Sequence, residues 1–180
     1  MVAGSSITEA IGAIGAVVLS IIGLAGVLSN LMAAIATIVV GAAILIVGLR
    51  RLPSPRARGF TTEFFAGVAG IVLGILALFG TFTQTLLAVA LIVFGASFLL
   101  GGFEFWQWPG VQGGEGEAEM VGFGSGGHVL VGLGALVLGI LAVIGLSPLT
   151  LILVGLLCIG AVALCYEMLA AGAFAFLTRK

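Results

Sequence analysis

VLGILALFG (72–80) and VLGILAVIG (137–145) agree at seven of nine positions, and VLSIIGLAG (18–26) carries the same pattern more loosely. The registers hold beyond these windows. A shift of 54 residues superposes Ser20 on Gly74, Gly26 on Gly80 and Gly41 on Gly95. A further shift of 65 brings Gly139, Gly145 and Gly160 onto the same places, so 11 additional residues fall in the Gly-rich segment before His128. Self-similarity at a fixed interval reveals architecture before any single element does. Here it divides one membrane domain, residues 1–180, into three repeats at about 8–50, 62–104 and 128–170.

Composition says what each repeat is made of. The 180 residues are 62% hydrophobic and 7% charged, with a mean hydropathy of +1.40. Soluble domains are about 25% charged, so a cytosolic enzyme is excluded: a fold of this size could not hide so much apolar surface. A spanning helix needs about 20 mostly apolar residues. Six stretches qualify, at about 8–27, 31–49, 62–80, 84–103, 128–145 and 148–170, none with a charge near its middle. A membrane β-barrel would alternate apolar with polar residues, and no stretch does. The expected fold is therefore an all-α membrane protein, with six transmembrane helices arranged as three tandem hairpins. Glu9 stands where a signal peptide would carry positive charge, so the first stretch reads as a retained helix.

Short turns fall near Ser29-Asn30, Thr81–Gln84 and Ser147-Pro148, the last reading as an N-cap Ser followed by Pro at the first helical position. Longer connections occupy 50–61 and 104–127. The second carries Glu115, Glu117 and Glu119 among glycines and reads as a mobile loop. Arg50, Arg51, Arg56, Arg58, Arg179 and Lys180 fall on one face if there are six spans. The positive-inside rule makes that face cytoplasmic, with both termini and both long loops. Two helices per repeat give all three repeats one orientation, related by a pseudo-three-fold axis along the membrane normal. Small residues at Ala16/Ser20, Gly70/Gly74 and Ala135/Gly139 in the first helices, and at Gly41, Gly95 and Gly160 in the second, permit close helix packing. The alternative use of these glycines is to line a narrow pore.

The pattern of small-rich helix, VLGILAL, turn, helix and IVFGASFLLGG, over about 9–103 and 128–168, resembles the HdeD-type acid-resistance membrane proteins. These are tandem short hydrophobic repeats of unknown function. Pro148 stands where the turn of that family often has Pro, while Ser29 and Thr83 stand there in the other two hairpins. The resemblance implies six spans, an inner membrane and a role in stress or acid tolerance. It supplies no catalytic residues.

The same registers align Glu9, Glu63 and His128 at the starts of the three first helices. Carboxylates there favour the helix dipole, and Ser6-x-x-Glu9 reads as a capping box. His128 fits capping poorly, and a His titrating near pH ~6.5 would suit a pH-sensitive ring at the mouth of the bundle. The trio specifies no particular metal. Arg50, Arg51, Glu104 and Glu167 are candidates for ion pairs at the inner boundary, with Glu167 alternatively joining the ring. Phe103, Phe105, Trp106 and Trp108 read as an interfacial aromatic belt or a docking patch for a partner subunit. Cys158 and Cys165, about 10.5 Å apart along one helix, are too distant to bridge and read as packing residues. GFGSGG lacks the Lys and preceding strand of a phosphate loop.

Near the midplane the polar candidates are Ser20, Thr37 and Ser97, each able to bond its own helix. Six basic against seven acidic residues leave no nucleic-acid footprint, and no cofactor is expected. The expected function is a non-enzymatic integral membrane protein of stress or acid-tolerance type, responsive to pH. The alternatives are an accessory transmembrane subunit of a larger complex and a channel for protons or a small solute. Transport is disfavoured, because transporters place polar or broken-helix sites at the midplane. The expected partners are the bilayer and either a second copy or other membrane subunits.

Overall fold

The computed structural model describes residues 3–51, 62–80, 82–106 and 115–177, with side chains for 11–49, 62–80, 82–101, 127 and 129–165. Among the described residues the chain is all-α, without strands. It forms α1 (Ala3–Leu24), α2 (Ser29–Arg51), α3 (Thr62–Leu78), α4 (Thr83–Trp106), α5 (Glu115–Ile144) and α6 (Pro148–Leu177). Three apolar stretches are long enough to cross a membrane: Ser29–Leu49, Thr83–Gly101 and Pro148–Cys165. The apolar stretches of the alternate helices are shorter, at Ile11–Leu24, Thr62–Leu78 and Val129–Ile144.

One boundary departs from the expectation. Residues 115–127, read as part of a mobile loop, are helical and continue into the apolar part of α5. Positions 115, 117 and 119 fall at the start of that helix.

The three short turns have one backbone geometry. Gly26, Gly80 and Gly145 sit at φ 86°, 80° and 94° just past the helix ends, a conformation open to glycine without steric cost. Their N–H groups donate back to Gly23, Ala77 and Ala142 at 3.1–3.2 Å. Two residues on, Leu28, Phe82 and Ser147 are also left-handed, at φ 46°, 54° and 42°. Their carbonyls accept from Met32, Leu86 and Leu151 and so start the next helices. The Ser29 and Thr83 hydroxyls donate back to Gly23 O at 2.9 Å and Ala77 O at 3.0 Å. Pro148 opens α6 as expected and has no N–H to satisfy.

Each helix packs on the next in chain order, and α6 returns to α1, which closes a ring. The second helices of the hairpins, α2, α4 and α6, also touch one another through the middle. Among the described residues α1, α3 and α5 do not touch one another. The inner helices therefore carry the core. Leu87, Leu91, Phe94, Ile152, Leu153 and Leu156 are all under 2% exposed. Facing them, α2 contributes small residues such as Ala33, Ala36 and Thr37. Phe94 fills the space left by Gly70, where a Cβ would collide with its ring.

The outer helices show the opposite face. Ile11, Ile14, Val18 and Ile21 of α1 are exposed, as are Phe65, Val68, Val72 and Ile75 of α3 and Leu130, Leu133, Val137 and Ile140 of α5. Spacings of three and four residues put each set in one stripe along its helix. Apolar surface this extensive marks a membrane or protein contact.

Candidate functional site

The repeated glycines lie in the contacts between one hairpin and the next. A Cβ at Gly41 would stand 2.9 Å from Ile71 N and 3.0 Å from Gly67 O. One at Gly95 would stand 2.6 Å from Leu136 N and 2.7 Å from Gly132 O. One at Gly160 meets Val17 at 3.0 Å and Ala13 O at 3.4 Å. Gly74 and Gly139 receive Ile38 and Ile92 in the same way, each 2.6 Å from a Cβ placed there. Each of these glycines thus faces a neighbouring helix, and Gly70 faces the Phe94 ring.

The three polar groups of the interior divide. Thr37 Oγ1 donates to Ala33 O and Ser97 Oγ to Phe94 O, both at 2.8 Å, so each is satisfied within its own helix. Ser20 is equally buried, but its hydroxyl has no hydrogen-bond partner, contrary to expectation. Ser20 belongs to α1 at the register position that Gly74 and Gly139 hold in α3 and α5. The sequence marks the substitution but not its consequence, which depends on how α6 packs.

Of the proposed ring, Glu63 is described in full. It opens α3, is partly buried, and has its Oε1 3.5 Å from a Cβ placed on Gly101 of α4. Position 9 lies in α1 and position 128 in α5; the side chains of Glu9 and His128 lie outside the described residues. The trio is thus spread over three outer helices that do not touch among the described residues.

Arg50 and Arg51 end α2, Glu104 lies in α4 and Glu167 in α6. Their side chains, and those of Phe103, Phe105 and Trp106 at the end of α4, lie outside the described residues, as does Trp108 altogether. Cys158 and Cys165 are free thiols exposed on the outside of α6, which corrects their reading as packing residues. The inward face of α6 is taken by Ile152, Leu153, Leu156 and Ile159. Among the described residues no three His, Cys, Asp or Glu side chains gather to hold a metal ion. The chain matches no protein-family model, and neither the curated proteins nor the solved structures contain a match to it.

Proposed function

We propose that this chain is a non-enzymatic, multi-pass membrane protein. Its six helices all span the bilayer as three tandem hairpins about a pseudo-three-fold axis, and it works in stress or acid tolerance as an HdeD-type protein would. One observation carries the reading: the middle of the ring is filled by apolar side chains, Leu87, Leu91, Phe94, Ile152 and Leu156, each under 2% exposed. A conduit for protons or a polar solute needs polar groups or broken helices at that depth. Here Thr37 and Ser97 are spent on their own helix carbonyls. The apolar stripes on α1, α3 and α5 support immersion of the shorter helices with the longer ones. The cluster of Arg50, Arg51, Arg56 and Arg58 supports a cytoplasmic position for the end that bears it. Glu9, Glu63 and His128, one on each outer helix at that same end, are the groups through which it responds to pH.

Reconstitution into liposomes tests the reading. With the protein present, proton permeability stays at that of protein-free liposomes. The melting temperature of the wild type changes between about pH 5 and 7, and that of His128→Ala does not. A proton flux that disappears in His128→Ala overturns the proposal in favour of a conduit. Identical pH profiles for the two proteins reduce the trio to helix capping.

A further inference from the structure

The three hairpin tips share features that the membrane reading alone does not require. The tip of α3–α4 exposes Phe79 at 79% and Phe82 at 78%. The α1–α2 tip exposes Val27 and Leu28, and the α5–α6 tip exposes Ile144 and Leu146. No Asp, Glu, Lys, Arg or His occurs in the tip segments 24–31, 78–85 and 143–150. Every Glu, Arg and Lys of the chain, and its one His, lies toward the opposite ends of the helices, in the two long connections or at the C-terminus. The amides at the tips are Asn30 and Gln84.

Length adds an independent constraint. Glu63 opens α3, which has 17 residues, a rise of about 25 Å. The hydrocarbon layer is about 30 Å thick. With Glu63 held at the near boundary, Phe79 and Phe82 reach no farther than the far boundary, and any tilt draws them deeper. The intervals from Glu9 to Leu24 and from His128 to Ile144 are equally short.

The backbone is suited to such a place. In lipid, polar main-chain groups must be satisfied from within. Gly26, Gly80 and Gly145 donate to the preceding helical turn, and the Ser29 and Thr83 hydroxyls spend their own donors on the same Gly23 and Ala77 carbonyls, so neither hydroxyl proton needs water. At the matching position of the third tip, Pro148 has no donor. Leu28 and Phe82 keep bulky exposed side chains in a left-handed conformation that L-residues rarely adopt.

We infer that the three tips form a lipid-immersed cap at the acyl–glycerol boundary of the far leaflet, so that the protein meets water only on its charged face. This rests on the membrane reading above, and the test separates the two. In the full-length protein with Trp106→Phe and Trp108→Phe, single tryptophans are placed by Phe82→Trp and Leu146→Trp at two tips, and by Val72→Trp on the outer stripe of α3. The protein is reconstituted into phosphatidylethanolamine–phosphatidylglycerol vesicles containing lipids brominated near the top of the acyl chain or deeper in it. Both tip tryptophans should show blue-shifted emission, lose most of it to the shallow bromolipid, and stay insensitive to iodide on both sides. Val72→Trp should be quenched by the deeper bromolipid. If the tip residues are quenched by iodide alone while Val72→Trp is quenched by lipid, the cap is overturned and the membrane reading stands. If lipid quenches none of the three, both fall.

Discussion

A methyl group should have opposite effects at Gly67 and Gly134, although both lie inside helices. At Gly67 a Cβ would stand 2.5 Å from Leu45 N and 2.8 Å from Gly41 O, so α2 and α3 would have to separate. At Gly134 it would meet nothing. Overpacking costs about 1–3 kcal/mol, whereas Ala in place of an unconstrained helical Gly gains up to about 1 kcal/mol. Gly67→Ala should therefore lower the thermal stability of the protein in bilayer-like micelles, and Gly134→Ala should raise it. Shifts of one sign in both would refute the close contact. The small residues at Gly41, Gly95 and Gly160 were legible in the sequence, because they recur at fixed intervals. Their partners were not. Each second helix packs on the first helix of the following hairpin, and no spacing within one hairpin reveals its neighbour.

At the scale of elements, the contacts between hairpins are not equal. Glycines meet in two of them, Gly41 with Gly67 and Gly95 with Gly132. In the third, between α6 and α1, Gly160 faces Ala13, Ala16 and Val17, and the backbones lie farther apart. Ser20 of α1 adds a buried hydroxyl without a partner, which costs about 1–3 kcal/mol. Close backbone approach is what holds helices together in lipid, so α1 is the helix expected to open first. Hydrogen exchange should find the amides of 11–24 exchanging faster than those of 65–78 and 130–144. Equal protection in the three helices would contradict this. The turns were legible because Gly26, Gly80 and Gly145 punctuate matching registers. The start of α5 was hidden by glycines that argue for a loop, while the glutamates that favour a helix end argue less loudly in composition.

For the molecule as a whole, charge rather than hydrophobicity gives the direction. Both helices of each hairpin are apolar all round, because the surroundings proposed for the bundle are as apolar as its core. The sequence therefore has no amphipathic signal to say that α2, α4 and α6 are inner and α1, α3 and α5 outer. What was legible is the one-sided placement of the ionisable residues, from which the proposed orientation follows. The most direct test of the account is thiol accessibility in intact cells and inverted vesicles. In a protein carrying Cys158→Ala and Cys165→Ala, single cysteines are introduced by Ser54→Cys in the first long connection and Thr178→Cys near the C-terminus. With six spans, a membrane-impermeant maleimide labels both in inverted vesicles and neither in intact cells. Labelling of the two from opposite sides would mean an odd number of crossings between them and would contradict the six-span bundle.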